Sequence, residues 1–188
     1  MIIGVTGTIG AGKETVVQYL KKKGFAQFSF SRMIRIEARK MGYGMDRPSL
    51  QKVGNLLREK YGDEGIFAKR IIEKIDNKKI ENAAIDGIRS PWEINEFKKQ
   101  RKDFYLIAVD AEQKKRFERT SKRGRPTDSN DFNDFRKHDV KEYFGEKGAH
   151  QQIKASMDMA DFKLMNNGTY KELYAQIDEV LKNIEKSE

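Results

Sequence analysis

The sequence predicts an α/β protein built as a three-layer α/β/α sandwich around a five-stranded parallel sheet. Three observations carry this. Short apolar runs that read as strands alternate with longer helical runs along the 188 residues. The first such run, Met1 to Val5, leads at once into a glycine-rich segment, Gly7-Thr8-Ile9-Gly10-Ala11-Gly12-Lys13-Glu14-Thr15, and then into an amphipathic stretch. Strands separated by helices pair in parallel through right-handed crossovers, and such a sheet needs helices on both faces.

In chain order, strands are expected at 1–6, 25–29, 82–86, 104–109 and 162–165. Helices are expected at about 13–23, 31–42, 49–61, 65–78, 92–101, 111–123 and 170–185. Two helix starts carry capping signals. Ser90-Pro91-Trp92-Glu93 offers a cap hydroxyl, a proline in the first turn and a glutamate three residues after the serine. Thr169-Tyr170-Lys171-Glu172 repeats the box. The last helix lines up Leu173, Ile177, Val180, Leu181 and Ile184 on one stripe, which reads as core. The three prolines, at 48, 91 and 126, fall near element starts or in loops. Residues 124–150 differ: they are polar, rich in turn formers and charge, and carry Phe132, Phe135 and Phe144. This segment reads as an excursion from the sheet with two short helices, either a mobile flap or a static surface loop.

Composition narrows the class. A chain of this length builds one domain with a full core. With no cysteine there is neither a disulfide nor a thiolate metal site, which fits a reducing compartment. No apolar run approaches the ~20 residues that span a bilayer, and the start reads as a strand rather than a leader, so a cytoplasmic protein without a membrane partner is expected. The net charge of +9, from 38 basic and 29 acidic residues, favours anionic partners. No platform of interleaved aromatic and basic residues marks a nucleic-acid surface, and nothing in the sequence sets an oligomeric state.

The chemistry begins at the glycine-rich segment. Strand, glycine loop and helix in that order make a phosphate cradle: the glycines let the backbone turn its N–H groups inward, and the helix start adds partial positive charge. Gly7, Thr8, Gly10, Ala11, Gly12, Lys13, Glu14 and Thr15 are therefore expected to bind a nucleotide, with Lys13 reaching its terminal phosphates. Where a Ser or Thr usually follows the lysine, Glu14 stands instead and Thr15 comes next. Glu14 either points away or helps hold a metal ion through water. Asp86 and Arg89 follow the third strand and, as ligands bind at strand ends in open parallel sheets, should lie beside the loop. Asp86 can hold magnesium waters, and Thr15 is the hydroxyl left to assist. Arg32, Arg35 and Arg39 recur on one face of the second helix, either as clamps for an anionic acceptor or as a solvated face. Arg116, Arg119, Arg123 and Arg125 lead into the flap, where arginines neutralise charge during phosphoryl transfer. Ser29 and Ser31 read as cap residues, Trp92 as a core or surface ring, and His138 and His150 take no role.

These residues resemble a known family. Gly7 to Thr15 is similar to the loop of adenylate kinase and its relatives, where lysine, a residue other than serine and then threonine also occur. Asp86-Gly87-Ile88-Arg89 resembles the segment of nucleoside monophosphate kinases whose arginine binds the acceptor phosphate. Arg119 and Arg123 look like the start of their lid, and Asn166-Asn167-Gly168-Thr169 looks like their adenine-contacting loop, which brings Asn167 and Gly168 to the cofactor. Leu50-Gln51 with Gly54 and Arg58 resembles a stretch of phage-type deoxynucleoside monophosphate kinases and makes Arg58 a substrate contact. The resemblance implies a P-loop NTPase fold with an acceptor-binding helical region at 30–80 and a lid at 124–150. It also implies ATP and Mg2+ as cofactors and a nucleotide as acceptor.

Dephospho-coenzyme A kinase shares much of this pattern. It phosphorylates a sugar hydroxyl and needs a carboxylate base after the second strand, whereas Phe28-Ser29-Phe30-Ser31-Arg32 offers no acid before Glu37. A phosphate acceptor is already ionised and asks only for cations. A regulatory ATPase without a small acceptor is the other alternative. Asn77-Lys78-Lys79-Ile80 lacks the aspartate of a guanine-reading motif, which counts against a GTPase.

Overall fold

A computed structural model describes residues 1–125, 128–145 and 152–186. Its elements are β1 (Ile2–Gly7), α1 (Lys13–Lys22), β2 (Ala26–Ser29), α2 (Phe30–Lys40), α3 (Arg47–Tyr61), α4 (Ile66–Asn77) and β3 (Ala83–Asp86), followed by α5 (Pro91–Gln100), β4 (Phe104–Asp110), α6 (Gln113–Arg123), α7 (Phe132–Phe144), α8 (Ile153–Asp158), β5 (Phe162–Met165) and α9 (Tyr170–Glu185). The five strands form one parallel sheet in the order β2-β3-β1-β4-β5. This is the α/β fold of P-loop kinases, with helices against both faces.

Side-chain alternation along the strands explains the three layers. Ile2, Ala83, Ile85, Phe104 and Leu106 point into one core, completed by α2 to α5 through residues such as Phe30, Phe67, Ile71 and Phe97. Their neighbours Ile3, Val5, Ala84, Ile107 and Val109 point into the other, completed by Val16, Val17 and Leu20 of α1 and the apolar stripe of α9. Burying both faces of the central strands removes several hundred Å² of apolar surface from water, at ~25 cal/mol per Å². In register, Val5 of β1 lies between Asp86 of β3 and Ile107 of β4. Chain order reverses at β1, so the crevice beyond its carboxyl end is the place where such sheets bind ligands.

Local chemistry sets the helix starts. Ser29 caps α2 and Ser90 caps α5 through their hydroxyls, and Thr169 with Glu172 closes a full capping box on α9. Helix α3 begins at Arg47, earlier than the expected 49, because Asp46 accepts the Ser49 amide and Pro48 fits the first turn. Within the excursion expected at 124–150, a continuous helix spans 132–144. Asp131 caps it, and it is anchored by buried Phe135 and Asp139. Helix α8 occupies a stretch to which the sequence pattern assigns no element. Pro126, Thr127 and residues 146–150 of the expected lid lie outside the described residues. No described helix is long and apolar enough to cross a membrane.

Candidate active site at the carboxyl edge of the sheet

The glycine-rich loop leaves β1 where only glycine fits. Gly7 has φ 141°, and a Cβ there would lie 2.0 Å from the Val109 carbonyl oxygen of β4. Gly12, the N-cap of α1, has φ 101°, and its Cβ would lie 2.3 Å from Asn166 Nδ2. Gly10 rests against the backbone of Arg116. Side chains from three other elements then tie the loop down. Thr8 Oγ1 donates to Asp110 Oδ1 at 2.6 Å, Arg116 Nη1 donates to the Ile9 carbonyl at 3.0 Å, and Asn166 Nδ2 donates to the Ala11 carbonyl at 2.8 Å. The Ile9 and Ala11 carbonyls are thus spoken for. The backbone N–H groups of Gly10, Gly12, Lys13, Glu14 and Thr15, by contrast, have no acceptor among the described residues. A helix start with orphaned amides wrapped around a concavity is an anion site.

Lys13 lies at the centre of this loop. Its Nζ donates to the carbonyls of Gly7 at 2.8 Å and Thr8 at 2.7 Å. Burial of the ammonium, then the nearby Arg89, lowers its pKa to about 7; Arg123 and Arg116 add to this, and Asp86 opposes it. Asp86, half-buried at the end of β3, makes no hydrogen bond or ion pair within the described residues, yet lies close enough to act electrostatically on both Lys13 and Arg89. Glu14 points outward, and its Oε2 pairs with Arg125 Nη2 at 2.7 Å, joining the start of α1 to the segment after α6.

The arginines of α6 and the residues around them divide into structural and available groups. Arg116 is buried and grips Asp139 of α7 with both guanidinium nitrogens, while its Nε holds the Ala111 carbonyl. One side chain therefore links the loop at Ile9 to α7. Arg119 gives Nη2 to the Asn166 carbonyl at 2.8 Å and leaves Nη1 buried without a partner. Arg123 is held by Asp128 through Nε and Nη2. Asn167 accepts the Glu112 amide through Oδ1 and Lys115 Nζ through its carbonyl, which laces the loop after β5 to α6. Gly168 lies against the Glu172 carboxylate of the capping box.

On the other side of Lys13, Arg89 follows β3. Its amide donates to Glu93 Oε2 at 3.1 Å, its guanidinium lies 3.5 Å from Glu142 of α7, and burial lowers its pKa. Arg32 and Arg35 lie exposed on α2. Arg58 does not join them. It is buried, donates to Glu93 Oε1 at 3.1 Å and lies over the Phe67 ring. The residue expected as a substrate contact thus lies in a buried ion pair, and releasing it would strand Glu93 in the core. Trp92 is 43% exposed at the start of α5, a surface ring.

Asp110, Asp139 and Glu142 escaped the sequence reading. Asp110 ends a strand, as Asp86 does, and that position was the available signal. The other two lie in a polar helix whose face toward α6 nothing local reveals. Among the described residues no group of three or more His, Cys, Asp or Glu side chains is placed to hold a metal. A magnesium ion carried on a nucleotide needs only one or two carboxylates besides phosphate oxygens. Asp86, unpaired beside the loop, and the Thr15 hydroxyl fit that requirement, and the orphaned loop amides and the unpartnered Arg119 Nη1 fit a polyphosphate.

The comparisons with known proteins bear on the family and the fold. Residues 3–141 match the AAA domain family. The chain is 33% identical over 193 aligned positions to UPF0200 protein MJ1399 of Methanocaldococcus jannaschii, covering 99% of this chain and 93% of that protein. It belongs to the UPF0200 family, within the AAA-domain P-loop class. Among solved structures it is similar to the shikimate kinase of Aquifex aeolicus, at 15% identity and a TM-score of 0.51 over 100% of this chain and 98% of that one. It is also similar to the shikimate kinase of Bacteroides thetaiotaomicron, at 11% and 0.57 over 98% of each. At these identities the likeness is one of fold.

Proposed function

We propose that this protein transfers the γ-phosphoryl group of ATP, with Mg2+, to a nucleoside or deoxynucleoside monophosphate. The observation that carries the reading is the set of unpaired loop amides around Lys13, facing an unpaired carboxylate, Asp86, and a second anion-binding side chain, Arg89. The loop amides and Lys13 would bind the β- and γ-phosphates, while Asp86 and Thr15 would hold the ion, Asp86 through water. Asn167 and Gly168 would border the base. An oxygen of the acceptor phosphate, already ionised, forms the bond to the γ-phosphorus as the bridging oxygen departs with ADP, so no base is required.

Arg119 and Arg123 would neutralise charge as it moves toward the leaving oxygen, with Arg123 exchanging Asp128 for phosphate. Residues 124–150 would act as the lid and 30–80 as the acceptor region, with Arg32, Arg35 and Arg89 on the acceptor phosphate. The stretch after β2, which carries an arginine where a hydroxyl acceptor would need a base, favours a phosphate over a sugar hydroxyl. A coupled ADP-release assay over all ribo- and deoxyribonucleoside monophosphates, with dephospho-coenzyme A alongside, tests this. Lys13→Ala is expected to abolish transfer and Arg89→Ala to raise the acceptor KM by at least ~10-fold. Wild-type turnover in the Lys13 variant would remove the assignment, and turnover with dephospho-coenzyme A alone would redirect the acceptor.

A further inference from the structure

The charges of α2 are arranged against the interest of the helix itself. Arg32 stands in its first turn, where the helix dipole disfavours a cation, and that turn contains no acid. Arg35 and Arg39, four residues apart, repel each other along one face. The helix's own carboxylate, Glu37, pairs with Lys40 and relieves neither. All three arginines are exposed, and none has a carboxylate, carbonyl or ring partner among the described residues.

This is unusual within the molecule. Arg58 rests on Glu93, Arg101 on Asp76 and Asp103, Arg116 on Asp139, Arg123 on Asp128 and Arg125 on Glu14. Arg136 of α7 also lacks a partner among the described residues, but it has no unpaired arginine beside it on its helix. The α2 row also starts at the site. A Cβ on Gly87, next to Asp86, would lie 3.7 Å from Ser31 Oγ, and Arg35 stands one turn beyond Ser31 on that side of the helix. With a rise of ~1.5 Å per residue, Arg39 lies about 10 Å farther along the axis than Arg32. The phosphate of a mononucleotide placed between Arg89 and Arg32 leaves Arg39 without a counter-charge.

We propose that α2 is a track for a second phosphate, so that the preferred ligand of the acceptor side is a nucleotide bearing at least two phosphate groups, one beyond the other along the helix and within reach of the long arginine side chains. Two sources share that chemistry, a nucleoside 3′,5′-bisphosphate and the 5′ end of a short oligonucleotide. This deepens the kinase reading and rests on it for the position of the first phosphate, but the test uses binding rather than turnover. Isothermal titration would compare a nucleoside 5′-monophosphate, the matching 3′,5′-bisphosphate and a 5′-phosphorylated dinucleotide for each base, in the wild type, Arg35→Gln and Arg39→Gln.

The two-phosphate ligands are expected to bind at least ~10-fold more tightly than the monophosphate in low salt, with a steeper loss of affinity as salt is raised. Arg39→Gln is expected to erase that advantage while leaving the monophosphate titration unchanged. Both variants replace exposed, mutually repelling cations, so their melting temperatures should equal or slightly exceed the wild type's, which separates lost binding from lost folding. Preference for the bisphosphate would identify a small molecule as the source; preference for the dinucleotide would identify a nucleic-acid end. Equal affinity for one and two phosphates, or an Arg39→Gln titration identical to the wild type's with every ligand, would overturn the inference even if monophosphates are phosphorylated. A binding advantage that depends on Arg39, in a protein that transfers phosphate to nothing tested, would keep it while ending the kinase reading.

Discussion

The glycine-loop side and the α2 side of the crevice are built by opposite means. On the loop side each carbonyl or hydroxyl that faces the protein has a partner: Thr8 on Asp110, Ile9 on Arg116, Ala11 on Asn166. What is left unpaired is the row of amides that an anion would fill. On the other side the cations stand in solvent on α2, and only Arg89 has a fixed carboxylate near it. The loop side is therefore a preformed cradle, whereas the cations of the α2 side would be neutralised only by an anion that arrives. A preformed site costs stability when disturbed, and a site of exposed cations does not.

The largest expected effect tests the stiff half. Arg116→Ala would leave Asp139 buried without its cation, with only Gln113 among the described residues still donating to it, and release the Ile9 carbonyl, and should cost about 3–5 kcal/mol in urea unfolding together with a loss of nucleotide affinity. Wild-type stability in that variant would mean that the loop is not held from α6 and α7. Next, Gly12→Ala puts a side chain at φ 101° against Asn166, at a cost of about 1–3 kcal/mol; Arg35→Ala on the other half should stay within about 0.5 kcal/mol. If the two melted alike, the contrast between the halves would fail.

Titration of Lys13 sharpens the same contrast. Its pKa is lowered from 10.5 to about 7 in the folded protein, so between those values the unfolded chain holds a proton that the folded one has shed. Stability contributed by this group therefore rises with pH over that window, and the gap in stability between Lys13→Met and the wild type should narrow from pH 7 to 9. A bound polyphosphate restores the proton. Nucleotide binding at pH 8 should thus take up protons, seen in calorimetry as a dependence on buffer ionisation enthalpy, and affinity should fall by up to about tenfold per unit above pH 7. Binding without proton uptake at pH 8 would place Lys13 away from the phosphates. The smallest effect lies on α2, where Arg32→Gln should stabilise the unliganded protein by a few tenths of a kcal/mol by removing a cation from a helix start.

The loop, the strand that precedes it and the place of Asp86 at a strand end were legible because each leaves a local mark: glycines where φ is positive, an apolar run before them, an acid after a short apolar run. The arginines were legible as a charge class but not as individuals. Arg58, Arg116 and Arg119 look alike in sequence, yet one is sealed in the core, one is a strut between two elements and one keeps a nitrogen unpaired. What separates them is the presence of Glu93, Asp139 and the Asn166 carbonyl, respectively, contributed by segments 23 to 47 residues away along the chain.

The amino-acid order alone determined the parallel sheet, its two-sided core and the anion cradle at its first turn, because alternation, glycine placement and capping act between near neighbours. Tertiary structure alone decided which cations face the crevice and which brace it, that a continuous helix runs from 132 to 144, and that Glu14 turns outward to Arg125. Those outcomes depend on charges from distant segments meeting in space, and the electrostatic partner of a side chain is set by the folded path of the chain rather than by its local sequence.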